Sequence, residues 1–236
     1  MKNIFLFAFS LLLFSCGADN ETATKAAETA AETPTLAALS AEERKRYVEE
    51  YGIDIEKGIP EGLKVGESAP IFKANDHKGN EVFLPDLFKK NPVVLVFYRG
   101  AWCPACNRYL TSLQDSLKYI ENAGATLVAI SPEINEKAIE TVEKTKATFS
   151  VIPDPNGYIM SAFKLDFHVA QGYQQKINDK LGADIATSNG TQDARLPVPA
   201  VYIVGTDGKI KYAYFNPDYH QRATVAEIVA ELNKLK

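Results

Sequence analysis

Residues 97–106 read Phe-Tyr-Arg-Gly-Ala-Trp-Cys-Pro-Ala-Cys, and this stretch gives the strongest indication of the fold. It continues an apolar run, Val93 to Phe97, whose β-branched residues are typical of a strand buried on both faces of a sheet. The proline that follows Cys103 fits the first position of a helix, and leucine and isoleucine then recur at steps of three and four. The stretch therefore predicts a buried strand that leads directly into a helix over 104–123, with Cys103 and Cys106 at the junction.

Apolar runs elsewhere in the chain predict partners for this strand and helix. The remaining expected elements are strands at 126–130, 150–152, 200–204 and 210–215 and helices at about 135–146 and 224–235. Asp207-Gly208 is typical of a hairpin between the last two strands. The order of elements is β-α-β-α followed by β-β-α, which predicts an α/β domain with a mixed central sheet flanked by helices.

Length, composition and charge limit the classes of protein to consider. The 236 residues are 46% hydrophobic and 24% charged, which are ordinary globular values and leave room for one good-sized domain with appendages. With 26 Lys and Arg against 30 Asp and Glu, the net charge is -4. This balance lacks the basic footprint of a protein that binds phosphate backbones, so we expect no nucleic-acid partner.

The N-terminus has the pattern of a bacterial export signal. Residues 4–14 are apolar apart from Ser10 and follow Lys2, and this run is too short for a bilayer, which needs about 20 residues. Leu13-Phe14-Ser15-Cys16 is similar to a bacterial lipobox. We therefore expect a lipoprotein signal peptide over 1–15 and a mature protein lipid-anchored through Cys16 in the bacterial cell envelope, in a membrane the sequence does not identify. An ordinary secretory signal is the alternative.

The segment between the signal and the domain changes character at Ser40. Residues 16–40 are rich in Ala, Thr and Glu and lack the apolar surface needed to offset ordering entropy, which predicts a lipidated tether. Ser40 with Glu43 matches a capping box, so a short helix is expected at about 41–51. We expect this helix and a linker to occupy 41–61 and the domain to occupy 62–236.

The C-x-x-C pair carries the strongest chemical signal. Two intervening residues allow both sulfurs to meet in one turn, and the N–H groups and dipole at a helix N-terminus lower the pKa of a thiol from about 8.5. This pattern predicts a dithiol that cycles through a disulfide. Half of a zinc site is an alternative, but no second cysteine pair exists and the histidines lack ligand spacing, so we expect no metal and no cofactor. A plain structural disulfide and an inert binding domain also remain open.

Residues 62–236 resemble the alkyl hydroperoxide reductase and thiol-specific antioxidant superfamily, and within it a peroxiredoxin-like group that carries a thioredoxin-style C-x-x-C. Besides residues 97–106, the resemblance rests on Leu63-Lys64-Val65-Gly66-Glu67-Ser68-Ala69-Pro70, Leu196-Pro197-Val198-Pro199-Ala200, Asp207-Gly208-Lys209-Ile210 and Asp218-Tyr219-His220-Gln221-Arg222. It implies a thioredoxin-like fold and the reduction of hydroperoxides, with a thioredoxin-like protein as the external thiol donor.

The resemblance also implies roles for individual residues. Cys106 occupies the position of the peroxide-attacking cysteine, and Cys103 stands where the family has a threonine. In this interpretation Cys106 becomes a sulfenic acid that condenses with Cys103 to a disulfide. Arg99 stands where the family has a proline, and Pro199 stands where its catalytic arginine begins a strand. The candidates for a replacement cation are Arg99, Arg195 and Arg222.

A second resemblance, to thioredoxins, supports a different substrate. Pro199 matches the cis proline that faces the C-x-x-C in those proteins, Val198 matches the residue whose backbone pairs with a bound peptide, and Trp102 matches their tryptophan. The alternative function is therefore dithiol–disulfide exchange on envelope proteins, with Cys103 as the attacking thiol. Residues 165–195 exceed what a minimal fold requires, and we expect them either to roof the site or to pack as a loop.

Overall fold

The computed structural model of the protein describes residues 35–236. The predicted signal peptide (1–15), Cys16 and most of the predicted tether (16–40) lie outside these residues. Within 35–236, no helix has both the length and the apolar character needed to cross a membrane.

A five-stranded mixed sheet forms the centre of the domain. The strands are β1 (Lys73–Asn75), β2 (Glu81–Phe83), β3 (Val93–Phe97), β4 (Thr126–Ser131), β5 (Ser150–Pro153), β6 (Asp166–His168), β7 (Arg195–Pro197), β8 (Ala200–Val204) and β9 (Ile210–Phe215). The central order is β5-β4-β3-β8-β9, while β1 pairs with β2 and β6 with β7 in two small sheets. Strand β3 is parallel to β4 and antiparallel to β8. The predicted α/β class, with a mixed sheet flanked by helices, is confirmed.

Helices cover both faces of this sheet. They are α1 (Ala41–Glu49), α2 (Leu84–Phe88), α3 (Pro104–Asp115), α4 (Leu117–Asn122), α5 (Asn135–Thr145), α6 (Tyr158–Ala162), α7 (Gln171–Leu181), α8 (Ile185–Ser188) and α9 (Val225–Asn233). The helix predicted over 104–123 is two helices, because the backbone leaves helical geometry at Ser116. The apolar residues of this segment are nevertheless buried on both sides of the break, as their spacing predicts.

Strand β3 is buried along its whole length and positions the C-x-x-C. Its carboxyl end and that of its parallel neighbour β4 meet at one edge of the sheet. The loop from β3 into α3 therefore lies in the crevice beyond the strand ends, where open α/β sheets place their ligands.

The N-terminal segment is an integral part of the domain rather than a free linker. Helix α1 begins at the predicted capping box of Ser40 and Glu43. The linker expected after it is packed instead, because Ile53 is fully buried and pairs antiparallel with Val169. The cause is an apolar sequence, since isoleucine side chains in this segment join a core cluster with α7 and β7.

Truncating Ile53 tests this packing. Ile53→Ala should lower the free energy of unfolding by about 2–5 kcal/mol, because it removes buried methyl groups and leaves a cavity. Ile139→Ala is the matched control on α5, where the side chain is 39% exposed, and should stay within about 0.5 kcal/mol of wild type. Urea unfolding curves measure both. Equal effects at the two positions would show that residues 50–61 are not part of the core.

Candidate active site

Cys103 and Cys106 form a buried pair at the first turn of α3. Both side chains are fully buried, and their sulfurs lie at disulfide-bonding distance with Cα atoms 5.3 Å apart. Cys103 caps the helix, since its Sγ accepts a hydrogen bond from the Cys106 N–H at 3.3 Å. No group of three or more His, Cys, Asp or Glu residues in 35–236 is arranged to hold a metal ion. The geometry suits a dithiol that closes to a disulfide.

Arg222 supplies a cation at Cys106. Its Nη2 donates to the Cys106 Sγ at 3.5 Å, and its Nε donates to the Tyr219 backbone carbonyl at 2.8 Å. Burial, together with the positive charge of Arg99, lowers the pKa of Arg222 to about 10. The guanidinium therefore stays cationic at neutral pH beside the sulfur that the family resemblance makes the nucleophile.

Arg99 supplies a second cation, at Cys103. Its Nη2 donates to the Cys103 Sγ at 3.3 Å, and its Nη1 donates to the Tyr173 hydroxyl at 2.7 Å. The guanidinium lies 3.4 Å from the centre of the Tyr219 ring and 5.2 Å from that of Trp102. Only 3% of Arg99 is exposed. Each sulfur of the pair thus has its own guanidinium donor.

The third candidate cation lies elsewhere. Arg195 on β7 forms an ion pair with Asp166 on β6, as part of the small two-stranded sheet. Residues 165–195 nevertheless reach the site through Tyr173 on α7, which holds Arg99. This contact supports the expectation that the segment roofs the site rather than packing only as a loop.

The cis peptide bond expected between Val198 and Pro199 is wrong. Residues 35–236 contain no cis peptide bond, so Val198–Pro199 is trans. Val198 is fully buried, and its N–H donates to the Leu165 carbonyl at 2.8 Å. Because β7 pairs with the chain next to α6 at this point, the Val198 backbone has no free N–H for a bound peptide.

Glu133 is a buried acid beside the C-x-x-C loop that sequence reasoning missed. Its Oε2 accepts from the Ala101 N–H at 2.7 Å, and its Oε1 has no partner. A Cβ on Gly100 would lie 2.6 Å from this Oε1 and 2.6 Å from the Trp102 Nε1, so only glycine fits there. Burial raises the pKa of Glu133 to about 8. The signal available in the sequence was the position of this acid just after β4, the strand parallel to β3, since the ends of parallel strands meet at one edge of the sheet.

Substituting Glu133 should change how stability depends on pH. The folded protein keeps the Glu133 proton up to about pH 8, whereas the unfolded chain releases it near the ordinary value of 4.5. Between these values the native state binds more protons, so the free energy of unfolding falls as pH rises, by at most about 1.4 kcal/mol per pH unit.

Glu133→Gln keeps an acceptor for the Ala101 N–H and removes the titrating group. We expect the difference in unfolding free energy between this variant and wild type to grow in favour of the variant from pH 4.5 to 8. Urea unfolding over this range measures it. A constant difference between the two proteins would contradict the assignment of a buried, protonated Glu133.

Comparison with known proteins places the chain in a family. Residues 65–213 match the AhpC/TSA family. A protein assigned to the peroxiredoxins in Mycobacterium tuberculosis is 28% identical over 154 residues, which are 65% of this chain and 86% of that protein. Peroxiredoxin Bcp of Escherichia coli is 31% identical over 101 residues, 43% of this chain and 64% of that protein.

A solved structure supports the same fold. The crystal structure of the peroxidoxin BcpB of Mycobacterium tuberculosis superposes with a TM-score of 0.57 at 21% identity, covering 74% of this chain and 99% of that one. At this identity the likeness concerns the fold, whereas the family match covers more than half of the sequence. The chain, with its C-x-x-C at the position where β3 enters α3, belongs to the AhpC/TSA family.

Proposed function

We propose that the protein is a peroxiredoxin-like thiol peroxidase that reduces hydroperoxides through a dithiol–disulfide cycle of Cys106 and Cys103. The observation that carries this proposal is the hydrogen bond from Arg222 to the Cys106 Sγ. Pro199 leaves the family's usual arginine position without a cation, and Arg222 supplies one from the segment between β9 and α9. A cation at this sulfur favours the thiolate and can also polarise a bound peroxide.

The first step consumes the hydroperoxide. The Cys106 thiolate attacks one oxygen, the S–O bond forms and the O–O bond breaks. The leaving oxygen takes up a proton and departs as an alcohol, or as water from hydrogen peroxide, and Cys106 becomes a sulfenic acid. Arg222 stabilises the negative charge that develops on the leaving oxygen, which is the main electrostatic demand of this step.

The second step converts the sulfenic acid into a disulfide, which an external donor can reduce. Cys103 attacks the Cys106 sulfur, water leaves, and the disulfide forms between residues whose Cα atoms are already 5.3 Å apart. A thioredoxin-like protein then supplies two electrons and two protons to regenerate the dithiol. Because both sulfurs are fully buried, part of their surroundings must move before the donor can reach them.

Exchange with protein disulfides is the second candidate. One observation favours it, because the Cys103 Sγ accepts two hydrogen bonds, from Arg99 and from the Cys106 N–H, as an attacking thiolate would require. The buried backbone of Val198 opposes it, since its N–H already donates to the Leu165 carbonyl and is not free to bind a peptide. We therefore favour a hydroperoxide over a protein disulfide as the substrate.

We also propose that the enzyme is anchored to a membrane of the bacterial envelope through Cys16. The lipobox-like Leu13-Phe14-Ser15-Cys16 and the polar segment after it support this proposal. Acyl chains on one residue contribute about 0.8 kcal/mol per buried methylene, so several chains would hold the protein durably. The tether would leave the domain free to meet small peroxides and a protein donor.

Single cysteine variants test the peroxidase. Reduced Cys103→Ser, treated with one equivalent of hydrogen peroxide, should form a sulfenic acid on Cys106, because the nucleophile remains and its resolving partner is gone. Cys106→Ser should form a sulfenic acid much more slowly, at a rate no higher than that of an ordinary thiolate, because Cys103 lacks the contact with Arg222. Trapping of the sulfenic acid followed by peptide mass analysis reports both. Rapid sulfenic acid formation on Cys103 instead, in Cys106→Ser, would reverse the assignment.

Arginine variants of the Cys103→Ser protein test whether Arg222 assists the attack of Cys106 on peroxide. Arg222→Gln should slow sulfenic acid formation by about 10²-fold, the typical effect of removing one donor from a developing oxyanion. Arg108→Gln is the matched control, since Arg108 is exposed on the same helix as Cys106. Equal rates in the two variants would remove Arg222 from the mechanism.

The lipid anchor predicts the N-terminus of the mature protein. Mass spectrometry of protein extracted from the envelope of a bacterial host should find Cys16 as the first residue, carrying acyl chains. Cys16→Ser is expected to block both processing and lipidation, because the thiol is the site of attachment. Recovery of an unmodified N-terminus cut at another residue would contradict the anchor.

A further inference from the structure

Arg99 is a buried cation without a carboxylate. It is 3% exposed, and within residues 35–236 it has no ion pair with Asp or Glu. Its Nε is also buried without a hydrogen-bond partner. A buried charge that lacks a counter-charge is strongly destabilising, and proteins normally pair or neutralise it. The site is therefore incomplete in the disulfide state.

The groups around Arg99 offer rings and a neutral hydroxyl rather than a negative charge. The rings of Tyr219 and Trp102 face the guanidinium. An aromatic ring attracts a cation only modestly. Tyr173 accepts a hydrogen bond, but burial raises its pKa to about 12, so its hydroxyl stays neutral at physiological pH. The Cys103 Sγ also contacts Arg99, and this atom can become an anion when the disulfide is reduced.

We infer that Arg99 is a catalytic residue that holds Cys103 as a thiolate in the reduced protein, so that the resolving sulfur is already ionised when Cys106 is oxidised. This inference rests on the proposed peroxidase. It also explains why an arginine stands where the family resemblance expects a proline: the residue before the C-x-x-C loop carries the counter-charge for the first cysteine.

An ionised Cys103 changes the resolving step. The Cys103 thiolate attacks the sulfur of the Cys106 sulfenic acid, the S–S bond forms and the S–O bond breaks, and the hydroxide takes one proton from solvent to leave as water. Fast resolution leaves little time for a second peroxide to convert the sulfenic acid into a sulfinic acid. Arg99 would therefore protect Cys106 from overoxidation.

The hydrogen bond from Arg99 to Cys103 also determines which sulfur of the disulfide the donor protein attacks. A disulfide breaks faster when the leaving sulfur is the more stabilised thiolate. Cys103 has donors in Arg99 and the Cys106 N–H, at 3.3 Å each, whereas Cys106 has Arg222 at 3.5 Å. The thiolate of the donor protein should therefore attack Cys106 and release Cys103.

Tyr173 is a positioning residue in this arrangement. Its hydroxyl fixes the orientation of Arg99, and its ring packs against Gly52, where a Cβ would lie 2.5 Å from a ring carbon. Gly52 also has φ of +82°, which glycine adopts without strain. The N-terminal segment thus packs against Tyr173, which in turn orients Arg99.

The pH dependence of alkylation tests the inference. In the full chain with Cys106→Ser, the rate at which iodoacetamide modifies Cys103 is measured against pH by peptide mass analysis, which keeps Cys16 separate. Adding Arg99→Gln should move the midpoint of this curve up by about one unit or more and slow the reaction at neutral pH about tenfold. The rate at the high-pH plateau measures how accessible the sulfur is, whereas the midpoint of the curve measures its ionisation.

Three variants complete the test. Arg99→Lys should restore part of the shift, because it keeps the charge, and Arg222→Gln should move the Cys103 midpoint much less than Arg99→Gln does. If Arg99→Gln fails to fold, Tyr173→Phe replaces it and should move the midpoint in the same direction. An unchanged midpoint would overturn the inference and would leave sulfenic acid formation on Cys106, the test of the peroxidase itself, unaffected.

Overoxidation gives a second readout in the protein with both cysteines. Under repeated turnover with excess peroxide, Arg99→Gln should accumulate Cys106 carrying two added oxygens, whereas Arg108→Gln should match wild type. Equal sulfinic acid in all three proteins would show that Arg99 does not accelerate resolution.

Discussion

Two guanidinium groups face two sulfurs inside a largely buried site, and the proposed chemistry of the protein depends on this arrangement. Arg99 contacts Cys103 and Arg222 contacts Cys106, while the charge of Arg99 itself contributes to the lowered pKa of Arg222. Two like charges at close range are unfavourable in a poorly solvated site. In the proposed mechanism a thiolate forms between them on reduction, and its negative charge offsets this repulsion.

Segments far apart in the sequence build this site. The β3–α3 loop provides the sulfurs and Arg99, α7 provides Tyr173, and the chain between β9 and α9 provides both Tyr219 and Arg222. The N-terminal segment supports α7 through Gly52. Residues that resemble a linker and an insertion in the sequence therefore contribute to the chemistry, because they hold Arg99 out of water.

The sequence predicts the scaffold better than the site. Apolar runs located β3, β4 and β8, and the C-x-x-C located the chemistry, since both signals are local. The environment of Arg99 and Glu133 depends on contacts with distant segments, and no local pattern shows that an arginine or a glutamate will be buried. The cis bond expected at Pro199 was transferred by resemblance and failed because β7 pairs at this point with the chain after α6.

Trp102, the only tryptophan in the sequence and a neighbour of Cys103, allows both oxidation steps of the proposed cycle to be followed directly. Reduced wild-type protein is mixed with hydrogen peroxide in a stopped-flow fluorimeter. We expect a first phase whose rate is proportional to the peroxide concentration and far exceeds that of a free thiol, followed by a phase independent of peroxide as the disulfide closes. A single phase no faster than the oxidation of a low-molecular-weight thiol, together with rapid reduction of a model protein disulfide, would contradict the proposed cycle.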